Sequence, residues 1–168
     1  SRYKSNRKEF GVLYGRRRIG KSSILNEFLK GKKGILFQAK QDNSYGNLKS
    51  FSYEVDHLLN LPDTFVFASW QHAFKSIQEY AKNERFVLVI DEYPYIVSQD
   101  SSFSSVLQEF IDHASDNMMV ILSGSDIGFL QKEIQNHASP LYKRRTFEME
   151  IKKMNFMRML KAKLIICV

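Results

Sequence analysis

Cysteine occurs once in this 168-residue chain, as Cys167. A single thiol can build neither an intrachain disulfide nor a cysteine zinc site. Long hydrophobic runs are missing too. The longest, such as residues 86–90, are far too short to cross a bilayer, so a membrane is not an expected partner. The sequence shows no charged-then-apolar leader with a small-residue cleavage site. Together with the lone thiol, this gives the cytoplasm as the expected compartment. Repeats, low-complexity tracts and interdomain linkers are lacking. The four histidines, His57, His72, His113 and His137, have no metal-ligand spacing and are assigned no chemistry.

The hydrophobic fraction of 43% and the charged fraction of 26% are ordinary for one globular domain with a sizeable core. The charge is less ordinary. A formal net charge of +7 favours polyanionic partners, nucleotides or nucleic acid. Much of it is local, in Arg16, Arg17 and Arg18, in Lys143, Arg144 and Arg145, and in a basic stretch after residue 151. No nucleic-acid reading element is visible, so DNA is a candidate partner on charge alone.

Five strand-like segments alternate with helical patterns. Residues 10–14, 34–39, 86–90 and 118–122 are short apolar runs, and residues 146–151 form a fifth candidate. Ile24, Leu25, Phe28 and Leu29 share a helical face, as do Leu48, Phe51, Val55, Leu58 and Leu59. Trp70, Ala73, Phe74, Ile77 and Ala81 make a third stripe behind a Ser69 N-cap. Phe103, Val106, Leu107, Phe110, Ile111 and Ala114 make the clearest one, and a weaker helix is expected over about 125–135. This alternation predicts an α/β three-layer sandwich, with a mainly parallel sheet of about five strands covered on both faces. Residues 1–151 read as the domain core and 152–168 as an atypical basic and apolar tail. In that tail Met154, Met157, Leu160 and Leu164 could line a short helix before an apolar end.

Gly15-Arg16-Arg17-Arg18-Ile19-Gly20-Lys21-Ser22 matches the phosphate-binding pattern G-x-x-x-x-G-K-[ST] in full. An apolar strand precedes it and an amphipathic helix follows, which lets backbone N–H groups and a helix N-terminus surround phosphate oxygens. The nucleotide-binding set is residues 15–22 with the adjoining Ser23. Within it Lys21 is expected on the β- and γ-phosphates and the Ser22 hydroxyl on Mg²⁺. The buried run Val87-Leu88-Val89-Ile90 ends in Asp91-Glu92. Asp91 fits the carboxylate that holds Mg²⁺, and Glu92 the base that polarises water. Ser123-Gly124-Ser125 ends the next strand, at the edge where open parallel sheets place ligands. Ser123 is the better candidate to orient water, while Ser125 could instead cap the next helix. Arg144 or Arg145 could contact a γ-phosphate in cis or in a neighbouring subunit of a homo-oligomer, or make an ordinary surface salt bridge.

These motifs resemble the archaeal-type ATPase family, a branch of the AAA+/STAND P-loop NTPases. The resemblance rests on residues 13–22 with the triple arginine, on Val89-Ile90-Asp91-Glu92-Tyr93-Pro94-Tyr95, on Leu122-Ser123-Gly124-Ser125, and on Ser139-Pro140-Leu141-Tyr142-Lys143-Arg144-Arg145-Thr146. It covers roughly residues 8–151. It implies an ASCE-type sheet, with the acid-bearing strand separated from the phosphate-loop strand by an inserted one. It implies ATP and Mg²⁺ as ligands, Lys21 and Ser22 on phosphates and metal, Asp91 on Mg²⁺, Glu92 as catalytic base, and Ser123 or Ser125 as sensor. It also implies an upstream base-binding helix and a downstream helical lid and further domains, which this sequence does not match. The expected reading is an ATPase core truncated at both ends. The alternative is a nucleotide-dependent switch or assembly module with little turnover.

Overall fold

Strand β3 (Phe86–Asp91) and strand β4 (Met118–Gly124) are buried at every position, because their side chains are apolar toward both faces. β1 (Glu9–Tyr14) is also buried throughout. These three form the middle of a five-stranded sheet flanked by β2 (Gly34–Gln38) and β5 (Phe147–Glu150), in the order β2-β3-β4-β1-β5. All neighbouring pairs are parallel. In this computed structural model residues 2–59, 62 and 65–152 are described. The proposed helix of the tail lies outside them.

Alternation along the strands sorts two cores. Val12, Leu88, Ile90, Val120 and Leu122 face helices α2 (Ser44–Leu59), α3 (Trp70–Tyr80), α5 (Phe103–His113) and α6 (Ile127–Gln135). Leu13, Val87, Val89, Met119 and Ile121 face α1 (Lys21–Leu29), which contributes Leu25 and Phe28. The expected three layers are therefore present, and β4 is the inserted strand between β1 and β3. The larger core is strongly aromatic: Phe37, Phe51, Trp70, Phe74 and Phe103 make successive ring contacts.

Ser69 caps α3 by accepting from His72 N. Three further local details matter for the site. α6 is capped by Asp126, whose side chain accepts from Phe129 N, and not by Ser125. The fifth strand is Phe147–Glu150, and its hydrogen bonds to β1 run on at both ends, from Thr146 N to Phe10 O and from Ile151 N to Tyr14 O, across the expected 146–151. A short helix α4 (Pro94–Gln99), absent from the sequence reading, follows β3 directly. Proline tolerates that first position because its missing N–H would have had no intrahelical partner there. No helix among the described residues is long and apolar enough to cross a membrane.

Candidate functional site

At the carboxyl edge of the sheet, β1 runs into the loop of residues 15–20. A Cβ at Gly15 would lie 2.3 Å from the Ile151 carbonyl oxygen, so the loop passes β5's continuation too closely for any side chain. Arg18 and Gly20 take φ of 63° and 91°, in the left-handed region. The space around Gly20 is open; its backbone angle, not crowding, favours glycine there. Helix α1 begins at Lys21 with no side-chain cap. Its first-turn N–H groups have no intrahelical acceptors and carry the positive end of the helix dipole. Ser23 is exposed within that turn.

Lys21 is 5% exposed. Its Nζ donates to Gly15 O at 2.9 Å and Arg16 O at 3.3 Å, so the ammonium is wrapped by the loop. Ser22 Oγ donates to Asp91 Oδ2 at 2.6 Å. Asp91 is fully buried, and its Oδ1 accepts from Glu92 N at 3.0 Å. A hydroxyl and a carboxylate in contact are hard oxygen donors. Magnesium takes such donors, one or two at a time, beside phosphate oxygens and water. The residues present therefore fit Mg²⁺.

Glu92 has φ of 54°, uncommon for a residue with a long side chain. Its Oε2 accepts from Ser125 N at 3.1 Å and Ser125 Oγ at 2.9 Å. Its Oε1 lies 3.9 Å from Lys21 Nζ. Ser123 is fully buried, and its Oγ has no hydrogen-bond partner among the described residues. Of the two serines, Ser125 is the one that touches Glu92. Nothing in sequence spacing marked that contact. Arg17 leans to the same corner, with Nη2 donating to Tyr95 OH at 2.9 Å and Nε 3.5 Å from Ser125 Oγ. Arg16, Arg17 and Arg18 are exposed, and with Ile19, Ile127 and Ile151 they border an open cavity of about 720 Å³ beside the loop.

The structure brings Lys21, Ser22, Asp91 and Glu92 together and leaves Arg144 and Arg145 out. Arg144 grips Asp112 in a two-pronged pair, Nε to Oδ1 at 2.8 Å and Nη2 to Oδ2 at 2.9 Å. That contact lies beside Lys8, Phe10 and Thr146, at the end of β1 remote from the loop. The paired guanidinium holds the Asp112 carboxyl below the usual aspartate range. Arg145 is held by Glu148 Oε2 at 2.8 Å and Ile134 O at 3.1 Å. Of the alternatives the sequence left open for these two arginines, the described contacts are salt bridges, Arg144 with Asp112 and Arg145 with Glu148.

A family model described as an ATPase domain predominantly from Archaea matches residues 1–165. The match runs through most of the segment read as tail. The uncharacterized protein MJECL04 of Methanocaldococcus jannaschii is 26% identical over 154 residues, 90% of this chain and 33% of that protein. The chain therefore spans about a third of that relative's length. Among solved structures, the Aeropyrum pernix ORC1 protein in complex with DNA aligns with a TM-score of 0.60 at 12% identity, over 93% of this chain and 43% of its own. The Aeropyrum pernix ORC2 protein in ADPNP-ADP complexes gives 0.60 at 15%, over 95% and 45%. CDC6P from Pyrobaculum aerophilum gives 0.58 at 12%, over 95% and 42%. At these identities the likeness is one of fold.

Proposed function

The chain belongs to the family of ATPase domains found predominantly in Archaea, and from that membership we propose that residues 15–22 bind ATP with Mg²⁺ and that Glu92 activates water for cleavage of the β–γ bond. The observation that carries this reading is the meeting of Lys21, Ser22, Asp91 and Glu92 at the end of β1 and β3. When bound, magnesium supplies neutralisation of phosphate charge, with Ser22 and Asp91 as its protein partners. Lys21 would exchange its loop carbonyls for β- and γ-phosphate oxygens. The α1 N-terminus and the loop N–H groups would surround the remaining oxygens. Glu92 would accept a proton from water as the water oxygen bonds to the γ-phosphorus and the bond to the ADP oxygen breaks. Phosphate and ADP leave, and Glu92 returns its proton to solvent. Calorimetric ATP binding with phosphate-release kinetics tests both halves. A folded chain that binds no ATP would end the proposal.

A second reading has its own support. Arg144 and Arg145 are engaged by Asp112 and Glu148, so no arginine beyond residue 18 is supplied to the γ-phosphate from the described residues. In that reading ATP occupancy is the signal and turnover is rare, with a further subunit or DNA as the responding partner. The net charge of +7 and the fold shared with a DNA-complexed neighbour support DNA as the first partner to test. Binding that is absent at low salt, or insensitive to salt, would exclude it.

A further inference from the structure

A left-handed backbone at a glutamate persists only where the surroundings fix it. The residue that follows Glu92 is itself held on several sides. Tyr93 is fully buried, and its N–H donates to Ser123 O at 3.0 Å. Its phenol oxygen lies 2.6 Å from Ser104 Oγ on α5 and donates to Glu133 Oε2 on α6 at 2.9 Å. Ser104 Oγ lies 3.0 Å from the same Glu133 Oε2, so with the phenol donating to Glu133 the single Ser104 proton serves either the phenol oxygen or that carboxylate. The ring packs between Phe103 and Phe129.

Phenylalanine would fill nearly the same volume and bury one polar group fewer. A satisfied polar node in an apolar core gives directionality that an apolar contact lacks. This one ties the residue after Glu92 to two helices at once. The same α6 region also holds the other end of Glu92, since Ser125, two residues before the helix, binds its carboxylate.

We propose that Tyr93, held by Ser104 and Glu133, is a positioning residue that fixes Glu92 with Oε1 turned toward Lys21. This rests on the reading of Glu92 as the base. The node acts through Glu92's backbone and touches neither nucleotide nor metal.

The test measures ATP hydrolysis under single-turnover conditions, with protein in excess. It is combined with affinities for ADP and for ADP–aluminium fluoride, a mimic of the transferring phosphoryl group. Tyr93→Phe, and independently Glu133→Ala from the other helix, should lower hydrolysis by about ten- to a hundredfold. The preference for ADP–aluminium fluoride over ADP should fall in step, with ADP affinity within about twofold of the parent. Glu133→Gln, which keeps an acceptor oxygen, should stay near parental. In a Glu92→Gln background, Tyr93→Phe should change neither quantity further, because the residue it positions has lost its function. Equal losses in both backgrounds would make the node merely structural. Parental hydrolysis and preference in both single variants would also overturn the proposal. Parental values in Glu92→Gln alone, or no hydrolysis and no fluoride preference in the parent, would instead remove the reading of Glu92 on which it rests.

Discussion

Glu92 Oε1 and Lys21 Nζ stand 3.9 Å apart, with side-chain exposures of 18% and 5%. The pair joins the two halves of the site, one from the helix after β1 and one from the end of β3. The ammonium that should meet phosphate and the carboxylate that should meet water already face each other.

Lys21→Ala removes that ammonium from a pocket of loop carbonyls. The expected result is ATP–Mg²⁺ binding weaker by about 2–4 kcal/mol. Calorimetry, with circular dichroism to check the fold, measures it. Unchanged affinity in a folded variant would remove the phosphate-loop assignment.

Glu92→Gln keeps shape and hydrogen-bonding capacity and deletes the carboxylate proposed as base. Nucleotide should be retained while hydrolysis falls by about 10²–10⁴-fold. A binding assay paired with single-turnover phosphate release separates the two, and a parental rate would rule Glu92 out as base.

Base selectivity should be weak. Residues 15–22, Asp91 and Glu92 present groups suited to phosphates and metal, and the adjoining cavity is open. Competition among ATP, GTP and tripolyphosphate should give affinities within about tenfold of one another, or 1.4 kcal/mol. With Arg144 and Arg145 engaged by Asp112 and Glu148, turnover should be far below about 1 s⁻¹. A strong ATP preference together with fast turnover would show a site already complete in this chain.

Arg144→Ala should cost stability and leave nucleotide affinity alone. The two-pronged pair with Asp112 is partly exposed, so about 1 kcal/mol and a Tm lower by roughly 2–4 °C are expected. Arg144 lowers the folded-state titration of Asp112. That contribution is therefore complete above the ordinary aspartate value near pH ~4, and it fades as pH falls through the lowered one. Thermal melts should show the gap between parent and variant closing in acid. A gap that widens there, or a loss of ATP binding, would contradict this placement.

Strands β3 and β4 were legible because both of their faces are apolar, a pattern that needs only local sequence. That residues 15–22 and the Asp91-Glu92 pair belong to one site was legible because each motif is written contiguously, and the structure brings Lys21, Ser22, Asp91 and Glu92 together. Asp126 took the cap that Ser125 could have filled, since either side chain suits the position and only geometry decides between them. The Ser125–Glu92 bond and the Tyr93–Ser104–Glu133 node join residues far apart in sequence, so no periodicity encodes them. Arg144 and Arg145 sit in a basic run whose partners, Asp112 and Glu148, are set by how α5 and β5 pack. Helix α4 stayed hidden because its six residues are too few for an apolar stripe.

The place of β4 has a consequence for how the chain acquires its shape. Glu9 of β1 pairs with Met119, and Phe86 of β3 pairs with Met118. A ribosome therefore releases β1 and β3 long before the strand that unites them. Until residues 118–124 emerge, the phosphate loop and the acid pair belong to two unjoined pieces, each exposing a strand edge. Such distant pairing is slow to form and prone to mispairing. Nucleotide should do little for the rate of that step, because its two sets of contacts do not yet coexist. It should instead slow the reverse process, holding the finished sheet closed once β4 is in place.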